Sequence, residues 1–208
     1  MTKKILITGV SGLIGSAIWN WLDNKNKYDL YGLSRRFGPS ARIDPSALPE
    51  IEDDHQYLVD ITNFDEVLEA SSDKDVIVHM AADPSPDASW ETILKDNIIG
   101  TYNVFEAARL NNVKRVIFAS SGSTVNGFER IPPYDKIAAG NYTAVPPNYK
   151  LITHEMIRPD SIYGATKVWG EALGRYFSTE YGVSVLCVRI GNLRVENRPL
   201  FDLSLIHI

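Results

Sequence analysis

Cysteine is nearly missing from this sequence: Cys187 is the single example in 208 residues. An internal disulfide and any metal site built on several thiolates are therefore excluded, and a reducing compartment fits. Long apolar runs are missing too, with nothing near the ~18 consecutive residues a membrane span needs. The first residues lead straight into a strand-like segment, so the expected location is the cytoplasm and no membrane partner is expected. Positive charge is not in excess: 21 Lys and Arg stand against 26 Asp and Glu, a net charge of −5. Without a concentrated basic face, which the sequence does not show, a nucleic-acid partner is not expected. Of the four histidines, His79 ends an apolar run, His55 and His154 are isolated, and His207 lies among the last residues, so no metal site is expected.

What is present is the composition of one globular domain, 44% hydrophobic, 10% aromatic and 23% charged, with length for one sizeable core. Short apolar segments at 4–8, 30–33, 56–59, 76–79, 113–119 and 183–190 read as strands. Helical spacing at 13–22, 64–70, 90–110 and 162–181 fills most of the gaps between them. Strands apolar at consecutive positions are buried on both faces, and their alternation with helices predicts a doubly wound α/β fold, a mostly parallel sheet of the Rossmann type. Two stretches break the rhythm. Residues 36–55, with Gly38, Pro39, Pro45 and Pro49, read as an irregular connection. Residues 128–160, with Pro132, Pro133, Pro146, Pro147 and Pro159, read as structureless and as a lid or substrate wall, since loops beyond about 12–15 residues are usually functional or disordered.

The first turn reads Thr8-Gly9-Val10-Ser11-Gly12-Leu13-Ile14-Gly15. Three glycines so spaced let the backbone turn tightly, approach a pyrophosphate and pack a helix on the sheet, and the helix start then faces the anion with free N–H groups. A dinucleotide is the expected ligand. Its type is set at the end of the second strand, where an acidic residue would bind a ribose 2′-hydroxyl and an arginine a 2′-phosphate. Ser34-Arg35-Arg36 stands there, which favours NADP over NAD. After the third strand, Thr62 is expected to cap the helix from Asn63 onward, and Asp60 is placed to accept from an adenine amino group.

Tyr163 and Lys167 lie one helical turn apart on one face. A phenol of pKa about 10 is a poor base at neutral pH, and a nearby ammonium favours its ionised form. Tyr163 is thus a candidate acid/base for a substrate oxygen while hydride moves to or from a nicotinamide. Ser120-Ser121-Gly122-Ser123-Thr124 follows the fifth strand, at the carboxyl edge where open sheets hold ligands, and offers hydroxyls to the same oxygen.

With these motifs in hand, the chain resembles an extended short-chain dehydrogenase/reductase of the NAD-dependent epimerase/dehydratase family. The resemblance rests on Thr8-Gly9-x-x-Gly12-x-x-Gly15, Asp60-x-Thr62, His79-Met80-Ala81-Ala82, the run from Asn97 to Val104, Val116 to Ser121, and Tyr163-x-x-x-Lys167, in the family's order along nearly the whole chain. It implies Ser121, Tyr163 and Lys167 as the catalytic set, with Lys167 also holding the nicotinamide ribose. It further implies Gly9, Ser11, Gly12, Leu13, Ile14, Gly15, Asp60, Ile61, Ala81, Ala82 and Asn97 at the cofactor, and Ser123, Thr124 and Asn192 at the substrate. The family commonly reaches Val-Tyr-Gly sooner after the serines; here Gly122-Ser123-Thr124-Val125-Asn126-Gly127 is one residue longer, with Asn126 in the tyrosine's place. Aligned from the strand side the catalytic hydroxyl is Ser121; aligned from the other side, Gly122 falls there and Ser123 or Thr124 substitutes. Arg158-Pro159-Asp160-Ser161-x-Tyr163-Gly164 and Val188-Arg189-Ile190-Gly191-Asn192 are most similar to uronate dehydrogenase and its sugar-oxidising relatives.

The family continues past the sixth strand into a smaller substrate-binding lobe. Here that lobe is expected to be largely missing: residues 1–202 form the dinucleotide domain, and 203–208 read as a non-native tail on a truncated frame. The resemblance implies hydride transfer between NADP or NAD and a hydroxyl or carbonyl carbon of a sugar or nucleotide-sugar, with a homodimer as the common assembly. Net dehydrogenation and 4-epimerisation share that step and are not separated by these residues. A non-catalytic dinucleotide sensor is the reading from another class.

Overall fold

In the computed structural model, residues 2–38, 43–85 and 87–191 are described. Six parallel strands, β1 (Lys3–Thr8), β2 (Tyr28–Ser34), β3 (Gln56–Leu58), β4 (Val76–His79), β5 (Arg115–Ser121) and β6 (Ser184–Ile190), form one sheet in the order β3-β2-β1-β4-β5-β6. The order reverses between β1 and β4, and in such sheets the crevice at that switch point, beyond the carboxyl ends of the strands, is where ligands sit. β1 pairs on both edges, with Thr8 opposite Leu33 of β2 and His79 of β4, so these ends are level with one another.

The helices are α1 (Leu13–Asp23), α2 (Phe64–Ala70), α3 (Trp90–Thr92), α4 (Gly100–Leu110), α5 (Tyr134–Ala138) and α6 (Ile162–Tyr181), with a π-helical turn, Ile93–Ile99, between α3 and α4. On one face Leu6, Ile77, Val116 and Phe118 pack with Val104, Phe105 and Phe177, and on the other Ile5, Ile7, Leu30 and Val78 pack with Trp19. Residues buried on both faces explain why the strands read as continuous apolar runs.

α6 starts at Ser161, whose hydroxyl accepts the Gly164 N–H at 3.0 Å, and ends at Gly182 in the left-handed region. It lies close to β5 because Gly170 faces Phe118; a Cβ there would come within 2.3 Å of the ring. Thr62 does not cap α2: Asn63 holds the cap position without a side-chain bond, and Thr62 instead donates its N–H and hydroxyl to Asp60 Oδ1 at 2.9 and 2.8 Å. An Asx turn on Asp60 takes both Thr62 donors, and the Thr62 oxygen does not accept a helix N–H.

Residues 128–160 are not structureless. They hold α5 and short 3₁₀ turns, and Phe128 and Tyr134 pack with Val125 in a small cluster of their own. The aromatic residues there outweigh the prolines, because they supply apolar area to bury. Asn192 and residues 203–208 lie outside the described residues. Among those described, no helix is long and apolar enough to cross a membrane.

Candidate active site

A crevice of about 1050 Å³ opens at the switch point. Its floor is the glycine turn. Gly9 adopts φ +69°, and a Cβ there would come within 2.8 Å of the Ala81 nitrogen; a Cβ on Gly15 would come within 2.2 Å of the Gly9 carbonyl oxygen. Backbone thus approaches backbone with no room for side chains, and α1 starts directly above, its first N–H groups facing the crevice. A cradle that any Cβ would fill, at a helix start, fits the pyrophosphate of a dinucleotide.

Gly9, Ser11, Gly12, Leu13, Ile14 and Gly15 all line this crevice, as do Ser34, Arg35 and Arg36 from the end of β2. Ile61 lines it from beyond β3, and Ala81 and Ala82 from beyond β4 across the switch point. The Ala81 corner is fixed from below. The Ala81 N–H donates to Thr8 Oγ1 at 3.2 Å, and the same hydroxyl is hydrogen-bonded to His79 Nδ1 at 2.8 Å, while His79 Nε2 lies 3.2 Å from Thr101 Oγ1. Complete burial, with the Lys167 charge adding to it, drives the His79 pKa down to about 3, so the ring stays neutral. His79 is a buried post under the crevice, a role its place at a strand end did not disclose.

On the other wall, Ser121, Ser123, Tyr163 and Lys167 face the same space. Ser121 Oγ accepts the Ser123 N–H at 3.1 Å, which orients the hydroxyl at the end of β5. Lys167 is 4% exposed, and its ammonium lies 5.4 Å from the Tyr163 ring centre and 5.0 Å from that of Phe118. Desolvation lowers its pKa to about 8. Ser120 lines the crevice as well, but its hydroxyl is committed to Glu171 Oε1 at 2.5 Å. Glu171 also receives Arg189 through Nε and Nη2, both at 2.8 Å, and Arg189 reaches back to the His154 carbonyl at 2.9 Å. This network ties α6, β6 and the 128–160 segment together behind the catalytic candidates.

Three expected site residues are not brought to the crevice. Thr124 is fully buried with its hydroxyl donated to the Ser121 carbonyl at 2.8 Å, so it cannot face a substrate. Asn97 is buried in the π-helical turn; its amide oxygen accepts the Asp83 N–H at 2.8 Å and its nitrogen donates to the Asp83 carbonyl at 3.0 Å, so it shapes the loop after β4. Asp60 lies instead on a smaller cavity of about 300 Å³, shared with Arg35 and Asp96. Sequence reasoning did not single out Asp83, Arg130 or Asp96 and quoted Asp160 only within a longer motif; all four line the main crevice. The first lies just beyond a strand's carboxyl end, a position that would have flagged it.

Asp96 sits next to Arg35, whose Nη1 approaches its Oδ2 to 3.1 Å. The alignment falls short of a hydrogen bond: among the described residues Asp96 Oδ2 is a buried oxygen left without one. Burial pushes the Asp96 carboxyl above the usual carboxylate range, Arg35 pulls it back, and Asp60 and Asp83 push it further up.

Residues 5–200 match the family model described as the NAD dependent epimerase/dehydratase family. The chain is 32% identical over 199 residues to the NAD-dependent glucose-6-phosphate dehydrogenase of Haloferax volcanii, covering 96% of this chain and 72% of that protein. It is 33% identical over 193 residues to the L-arabinose 1-dehydrogenase (NAD(P)(+)) of the same organism, covering 90% and 66%. Among solved structures, a mutant of uronate dehydrogenase from Agrobacterium tumefaciens complexed with NAD superposes with a TM-score of 0.70 at 27% identity, over 93% of this chain and 62% of that one. The chain thus spans 62% to 72% of the length of these proteins.

Proposed function

Because the chain belongs to the NAD dependent epimerase/dehydratase family, we propose that it carries the dinucleotide site and the proton-transfer residues of an enzyme that moves hydride at a hydroxyl or carbonyl carbon of a sugar or nucleotide-sugar. The observation that carries this reading is that Tyr163 and Lys167 line the same crevice as the glycine turn. When bound there, NADP or NAD supplies the hydride acceptor or donor. Gly9, Gly12 and Gly15 bring backbone to the pyrophosphate, and the start of α1 faces it with N–H donors. Arg35 and Arg36 stand where a 2′-phosphate falls, which favours NADP, with NAD as the alternative. Ser121 holds the reacting substrate oxygen, and Tyr163 takes its proton in oxidation or returns it in reduction. The buried Lys167 ammonium favours the phenolate and donates to the ribose. The loop of residues 128–160, pinned through Arg189, walls the substrate side.

The test is Tyr163→Phe in a version that turns over sugars. Loss of the phenolic proton should lower kcat by about 10²–10⁴-fold, the range of general acid–base catalysis, while the dissociation constant for the dinucleotide stays within about twofold. Unchanged turnover would remove Tyr163 from the chemistry. Screening uronic acids, aldoses and nucleotide-sugars separates the reaction types: reduced dinucleotide accumulates with a dehydrogenase, whereas a 4-epimerase gives isomerised sugar without it.

A further inference from the structure

The choice between the two dinucleotides turns on more than the presence of Arg35. Its side chain is 59% exposed at the rim of the main crevice, whereas the Asp96 side chain is 9% exposed, one residue before Asn97 in the π-helical turn. The two meet at 3.1 Å, yet Asp96 Oδ2 gains no aligned hydrogen bond from the contact. Arg35 carries five N–H donors in a rigid fork suited to a bidentate acceptor, and a poorly aligned single contact leaves that capacity largely unused. Asp60 and Asp96 line the adjoining small cavity together with Glu91, so the surroundings of Arg35 are acidic apart from Lys95 and the neighbouring Arg36. A phosphate arriving beside Arg35 therefore meets a guanidinium already drawn toward one carboxylate, in a neighbourhood where further carboxylates repel it.

We propose that Asp96 is a specificity-determining positioning residue: by holding Arg35 in an ion pair it competes with the 2′-phosphate of NADP and leaves the site open to NAD as well. The inference rests on the dinucleotide reading above. Asp96 acts only through Arg35. Its effect is selective for the dinucleotide that carries the extra phosphate, since the 2′-hydroxyl of NAD has no charge for a freed guanidinium to bind.

The test is the equilibrium dissociation constant of NADP⁺ and of NAD⁺, measured by calorimetry on the 208-residue chain and on Asp96→Asn, Arg35→Ala and the double variant, with thermal unfolding followed in parallel. Asp96→Asn keeps the side-chain shape and removes the charge. It should tighten NADP⁺ binding about tenfold relative to NAD⁺, the effect of one charge-assisted hydrogen bond gained between the released guanidinium and the phosphate. In the Arg35→Ala background the same change should leave the ratio unmoved. An equal effect on both dinucleotides would overturn the proposal and make Asp96 merely structural, as would a gain that persists without Arg35. Weaker NADP⁺ binding in Asp96→Asn would also sink it, since Asp96 would then be orienting Arg35 for the phosphate. If the folded parent chain binds neither dinucleotide, the functional reading itself fails, a result distinct from any of these.

Discussion

Compare the two walls of the crevice. Beside β1 the surface is a glycine turn whose Gly9 and Gly15 lie against main-chain atoms. Beside β5 and β6 it is side chains held by other side chains: Ser120 and Arg189 on Glu171, Lys167 between Phe118 and Tyr163. The difference follows from what each wall has to do. Binding a pyrophosphate needs N–H groups at short range, and any Cβ would stand in the way. Moving a proton needs a titratable group whose environment sets its affinity, and only side chains offer one.

The sharpest way to break the comparison is to put a side chain into the backbone wall. Gly15→Val would drive a Cβ into the Gly9 carbonyl, so α1 must lift from the turn. We expect a loss of about 2–4 kcal/mol in stability by urea titration, and dinucleotide affinity reduced by more than about 100-fold. Arg189→Met is the equivalent cut in the other wall. It removes both bonds to Glu171 and the bond to the His154 carbonyl. With the pair about one-fifth exposed, the expected cost is about 2–3 kcal/mol by urea titration. Amide exchange within residues 150–160 should quicken while the glycine turn stays protected, which would show that the walls are held independently.

A smaller effect is the pH dependence that Lys167 imposes. Its pKa falls from the ordinary 10.5 to about 8 in the folded chain. Below about 8 the ammonium is charged in folded and unfolded chain alike and the cost of burying it is fully present. As pH rises from there toward 10.5, the folded chain releases its proton first and the cost fades, so stability increases. Relative to Lys167→Met, which has no such proton, the parent chain should gain on the order of 1 kcal/mol between about pH 7.5 and 9. A difference that stays flat over that window would mean that Lys167 is not desolvated. Smallest of all should be Gly122→Ala. Its Cβ would sit 3.5 Å from Asn126 Oδ1, an ordinary contact, and thermal unfolding should register no more than about 0.5 kcal/mol. Set beside Gly15→Val, it contrasts a glycine the crevice requires with one it tolerates.

The same division governs what could be read in advance. The limits of β4, α2 and α6 match the apolar spacing, because burial on two faces or one stripe writes a period into the chain. The glycine turn was equally plain, since its requirement is the absence of a side chain at fixed intervals. The Thr62 hydroxyl had two uses open to it, accepting a helix N–H as a cap or donating to Asp60, and local spacing does not rank them. Thr124 and Asn97 were misread for a related reason. Both sit among lining residues, but whether a hydroxyl or amide faces the crevice or the protein depends on which carbonyl the backbone presents to it, Ser121's within the same turn for Thr124 and Asp83's from the loop after β4 for Asn97. Residues 128–160 read as structureless because five prolines mask the apolar spacing of Phe128, Tyr134 and their aliphatic neighbours, which form a local cluster.

Sequence alone determined the layered architecture, the order of its elements and the place of the phosphate cradle, all of which depend on periodic burial or on missing Cβ atoms and so leave marks in neighbouring positions. The tertiary structure decided which polar groups face the crevice and which are spent inside: the neutral His79 post, the buried Lys167, the turn of Asn97 toward Asp83, and the meeting of Arg35 with Asp96. Hydrogen bonding and charge act over a few ångströms between residues that can be far apart in the chain, as Thr8 and His79 are at 71 positions. No period along the chain encodes such a distance; the crossing of strands and helices creates it.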